Sequence, residues 1–100
     1  MNIKDGVKIT GISNEILLAL MVAERIWNEL GYSGVTITSC MDGAHMRKSR
    51  HRAGFAVDLR TRDMTEGAIA TAVERMHHSL SNDFDIVVES DHIHLEYDPK

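Results

Sequence analysis

The chain has 100 residues, 43% hydrophobic and 26% charged, which suffices for one modest core, so a single domain over residues 1–100 is expected. A formal charge of -4, with no Lys/Arg stripe clear of acidic neighbours, argues against a nucleic-acid partner. No apolar run approaches the ~20 residues that cross a bilayer, so no membrane role is expected, and the lone Cys40 excludes an intrachain disulfide.

The segment from Met1 to Gly6 has no apolar stretch of the signal-peptide kind, so synthesis in the cytoplasm without a signal peptide is expected. Gly6 and Gly11 bracket Val7-Lys8-Ile9-Thr10, a candidate strand. From Asn14 to Leu30, Ile16, Leu20, Ala23, Trp27 and Leu30 recur at helical spacing. Ser13 is the expected N-cap and Gly31 the expected stop. Residues 35–40 (VTITSC) alternate as a β-branched strand, with Cys40 read as a small core residue. Residues 41–53 are polar and aperiodic, and read as a loop. Residues 55–60 (FAVDLR) alternate again. A second helix is expected from Glu66 to Leu80, capped by Thr65, with Ile69, Ala72, Val73, Met76 and Leu80 inward. Two last strands, 84–89 and 92–97, are close enough for Ser90-Asp91 to be a hairpin turn. The order predicts an α+β fold: an antiparallel sheet with helices on one face and an open metal cleft on the other.

Side chains on a strand alternate between faces. Ile93, Leu95 and Tyr97 form one face of the last strand, and His92, His94 and Glu96 the other. Phe55, Val57 and Leu59 form the apolar face of the middle strand, leaving Ala56, Asp58 and Arg60 opposite. If both apolar faces serve one core, Asp58 and His94 share the open face. Catalytic zinc sites use three His, Asp, Glu or Cys ligands and an open fourth position, and His51 in the preceding loop is the available third donor. A His-x-His on a strand is more often solvent-facing, as His45, His77 and His78 are read to be. An Asp within an apolar strand is costly unless paired or metal-bound. No HExxH helix, Cys pair or GxSxG elbow is present.

Residues 49–59 (SRHRAGFAVDL) match S-x-H-x-x-G-x-A-x-D-L, and Asp91-His92-Ile93-His94-Leu95 matches a companion H-x-H motif. Together they resemble the zinc D-alanyl-D-alanine carboxypeptidases and L-alanyl-D-glutamate endolysin peptidases, whose fold is shared with lysostaphin-type peptidases and the hedgehog signalling domain. The resemblance covers about residues 14–97. It implies one Zn²⁺ per chain held by His51, Asp58 and His94, a tight turn at Gly54 and a supporting role for Ser49 in the loop or at the substrate. It implies metal-assisted hydrolysis of a peptide bond next to a D-amino acid in peptidoglycan, as in a phage lysis or tail-associated enzyme, with the bacterial cell wall as site of action. The E/D-x-x-H spacing selects Asp91 as general base. His92 shares the face of His94, and the two are assigned the role together, with Glu89 and Glu96 in reserve. Arg47 is the first candidate for a substrate carboxylate, ahead of Arg50 and Arg60. The donor set alone also accommodates iron(II). The alternatives are a zinc-binding structural or interaction module without catalysis, and an unrelated α+β protein with coincidental histidines. The sequence leaves the bond cut and the oligomeric state open.

Overall fold

The computed structural model describes residues 1–41 and 55–99. In chain order the elements are β1 (Asn2–Ile3), α1 (Asn14–Glu29), β2 (Thr36–Met41), β3 (Ala56–Arg60), α2 (Glu66–Ser79), β4 (Phe84–Val88) and β5 (His92–Tyr97). The strands form one five-stranded sheet in the order β1-β2-β3-β5-β4. The sheet is mixed rather than wholly antiparallel, because β1 runs parallel to β2 while every other pairing is antiparallel.

Both helix starts follow the local chemistry. The Ser13 hydroxyl accepts from the Ile16 N–H at 3.1 Å, and the Thr65 hydroxyl from the Ala68 N–H at 3.1 Å, each satisfying a first-turn donor. At the end of α1, Gly31 takes φ 95°. This lets Tyr32 N–H reach Trp27 O and Gly31 N–H reach Asn28 O, the paired bonds that close a helix over a left-handed residue.

The apolar stripe of α1 (Ile16, Ala19, Leu20, Ala23, Ile26, Trp27) and Ala72 and Met76 of α2 cover Ile37, Val57, Leu59, Ile93 and Leu95 of the sheet. Each large side chain buried there contributes about 1.5–3 kcal/mol. Ile69, Val73 and Leu80 pack at the margin of this core, as does Cys40. No helix among the described residues is long and apolar enough to cross a membrane.

The expected strand at Val7–Thr10 does not form. Val7 and Ile9 do turn toward the core while Lys8 and Thr10 face outward, so the alternation is real. It reflects packing rather than pairing, because this backbone is occupied by local turns, with Val7 N–H on Lys4 O and Ile12 N–H on Ile9 O. The pairing strand lies earlier, at two exposed residues with no apolar pattern to announce it.

The sheet face opposite the helices is not uniformly open. Ala56 and Glu96 alternate away from the helices, yet both are buried.

Candidate functional site

The site is built from β3 and β5. Because Val57 and Leu59 are taken by the core, Asp58 must project to the opposite face. The antiparallel register then sets it directly across from His94. Their side chains meet, with His94 Nδ1 at 2.8 Å from Asp58 Oδ1. The other ring nitrogen of His94, Nε2, lies 2.8 Å from Glu96 Oε1. Glu96 follows His94 by two residues on the same strand face, and is 8% exposed.

An ionised carboxylate only accepts hydrogen bonds. With a carboxylate at each ring nitrogen, His94 is held as an imidazolium donating both protons. Its pKa is pushed up to about 9, chiefly by the bond to Asp58, which outweighs the opposing cost of burial, and then by Glu96. A raised histidine pKa stabilises the fold below its unfolded value near 6.5, and that contribution is lost as pH rises through about 9. Chelator-treated protein should therefore lose roughly 2–3 kcal/mol between pH 6.5 and 9.5, about 10 °C in melting temperature. The His94→Gln variant should show a much flatter profile in the same thermal scans. Parallel profiles for the two proteins would contradict the assignment.

His92 occupies the next position on this face. Its Nδ1 lies 2.7 Å from Asp91 Oδ1 and its Nε2 lies 3.7 Å from Asp58 Oδ2. The hydrogen bond from His92 is the main cause holding the Asp91 carboxyl below the usual carboxylate range. Asp91 is therefore ionised and accepting, so Nδ1 of His92 donates to it, while Nε2 is turned toward Asp58. Asp91 stands in the turn, as the hairpin reading implies. Glu89 N–H donates to His92 O at 2.8 Å, closing the loop around Ser90 and Asp91.

Bound metal would replace a proton here. Donor atoms sharing one tetrahedral zinc at 2.0–2.2 Å stand roughly 3.3–3.5 Å apart, so the Asp58–His94 pair would open by about half an ångström from 2.8 Å. The donor types also fit, as does Glu96 behind His94, since a ligating histidine ordinarily gives its other N–H to a carboxylate. Glu96→Gln should weaken zinc binding 10- to 100-fold in a competition titration. Unchanged affinity would remove Glu96 from the site.

His51, the third expected ligand, lies outside the described residues, as do Arg47, Ser49 and Gly54. Among the described residues, the one group of three donors within 4.8 Å is Asp85, Glu96 and Asp98, so His92 does not complete a triad with Asp58 and His94. His77 and His78 are exposed on the last turn of α2, as read from the sequence.

Beside Asp58, Asp91 and His92 lies a depression of about 310 Å³. Its other walls are the cations Lys4, Arg60 and Arg62 and the hydroxyl-bearing Thr38 and Ser39. A bulge in β2 makes the last two neighbours there, because the register passes from Ile37↔Leu59 to Ser39↔Asp58 with one extra residue on β2. Sequence reasoning had Glu96 only as a reserve base, and missed Lys4, Arg62 and the bulge. The alternation Asp58-x-Arg60-x-Arg62 was the available signal for Arg62, whereas Lys4 depends on a strand pairing that the pattern conceals.

Comparison with protein-family models, with curated proteins and with solved structures found no match.

Proposed function

We propose that the chain is a zinc-dependent peptidase hydrolysing a peptide bond next to a D-amino acid in bacterial peptidoglycan, with His51, Asp58 and His94 as the ligands of one zinc ion. The observation that carries this reading is the hydrogen-bonded pairing of Asp58 with His94 on the face away from the core. These are two of the three ligands that the SRHRAGFAVDL and DHIHL segments imply by resemblance.

When bound, zinc supplies a Lewis acid that lowers the pKa of a water toward about 7 and polarises the scissile carbonyl. The rest falls to the chain. Glu96 fixes the ring of His94 through Nε2. His92, whose Nε2 faces Asp58, takes a proton from the attacking water and returns it to the leaving amine. Asp91 holds the His92 ring in that orientation through Nδ1. This divides the pair that the sequence left joined: His92 is the base and Asp91 the positioning residue.

The test is hydrolysis of L-Ala-D-Glu and D-Ala-D-Ala peptides, each beside its all-L counterpart. Cleavage should be confined to the D-containing members, stop with chelator and return with zinc. If a protein holding one zinc per chain cleaves none of these peptides and no purified peptidoglycan, the reading falls to that of a non-catalytic zinc module.

A further inference from the structure

The three cations beside the site reach one wall by backbone pairing. Arg60 follows Asp58 by two residues on β3 and so shares its face. Thr61 N–H donates to Asp91 O at 3.0 Å, which continues the β3–β5 pairing one residue beyond Arg60↔His92. The alternation therefore persists past the strand end, with Thr61 buried and Arg62 lining the same depression as Arg60. Lys4 N–H donates to Ile37 O at 2.9 Å, extending β1 along β2 by one residue and bringing Lys4 beside Thr38.

Among the described residues, none of the three cations has an ion-pair partner within 4 Å. Both carboxylates on this wall are hydrogen-bonded, Asp58 to His94 and Asp91 to His92, and Arg62 also acts on Asp91 through its charge. A chain of net charge -4 thus gathers three cationic side chains at one depression where the local acids have partners. Two guanidinium groups and an ammonium, with the Thr38 and Ser39 hydroxyls nearby, match the acceptors of a carboxylate.

We propose that Lys4, Arg60 and Arg62 form a carboxylate-binding wall next to the Asp58–His92 edge, and that the peptide acted on there carries a free carboxylate close to the bond that is cut. The substrate class rests on the peptidase reading; the binding wall does not. It moves carboxylate recognition from Arg47, the first choice from sequence, to β3 and its extension, with Lys4 from the β1 edge.

The test uses the whole 100-residue chain in its zinc-free form, so that no metal competes for the probe. N-acetyl-D-alanine is titrated by NMR beside N-acetyl-D-alaninamide, which has nearly the same size and no charge. The carboxylate should shift the Lys4, Arg60 and Arg62 amide signals saturably, and the amide should not. The double variant Arg60→Gln, Arg62→Gln should weaken binding at least tenfold, and Lys4→Gln, at an exposed position, should weaken it several-fold. The α-amide of N-acetyl-D-glutamate, whose one carboxylate is on the side chain, distinguishes an acidic side chain from a chain terminus as the source. Equal binding of acid and amide, no saturable binding of either carboxylate, or full affinity in both variants would overturn the proposal. Carboxylate binding by a protein that hydrolyses nothing would remove the peptidase reading and leave the wall standing. Equal turnover of free and amidated peptides would do the reverse.

Discussion

Asp58→Ala should strip the protein of zinc and abolish hydrolysis. Asp58 is the anionic member of the proposed ligand set, and its removal also takes away the group that orients Nδ1 of His94. The expected loss of zinc affinity is about 10³-fold, equivalent to roughly 4 kcal/mol. The fold should survive, because Asp58 projects away from the core that Val57 and Leu59 enter. Asp58→Asn sharpens the test: it keeps the side-chain size and an acceptor for Nδ1 but not the charge. It should lower zinc affinity as well and bring the His94 pKa down from about 9. Stoichiometric zinc in a folded Asp58→Ala protein would show that the metal is held elsewhere.

His92→Ala should lower kcat by 10² to 10⁴-fold, the usual contribution of a positioned general base, while zinc content stays at the wild-type level. The Asp91 variants separate base from positioning residue. If Asp91 acts by holding Nδ1 of His92, Asp91→Asn retains an acceptor oxygen and should be markedly milder than Asp91→Ala. If Asp91 is itself the base, the two substitutions should be equally damaging and His92→Ala mild. Full activity in both Asp91→Ala and His92→Ala would dismiss the whole assignment. Steady-state kinetics beside elemental analysis of each variant reads all of these outcomes.

What sequence could tell follows from which forces have short-range signatures. Helix caps at Ser13 and Thr65, the Gly31 stop and the turn at Ser90-Asp91 are local chemistry, and each lies where the pattern puts it. Alternation was enough to place Asp58 and His94 on one face, because burial of Val57, Leu59, Ile93 and Leu95 leaves no other choice. It could not give the cross-strand register that makes them direct neighbours, nor the side-chain rotamers that set His94 against Glu96 and His92 against Asp91. The same limit explains Val7–Thr10, where apolar alternation records packing without a strand partner, and Asn2–Ile3, where a strand has partners without alternation. The β2 bulge is a register event between two strands, and neither sequence alone carries it. For His51, Arg47 and Ser49 the motif remains the argument, since they lie outside the described residues.

The decisive measurement is the metal content of the untagged protein, by elemental analysis after incubation with zinc and removal of the excess. About one zinc per chain is expected, from a single centre at Asp58 and His94. Absence of bound zinc would contradict it, leaving Asp58, His94 and Glu96 as a hydrogen-bonded structural cluster and the resemblance without its chemistry.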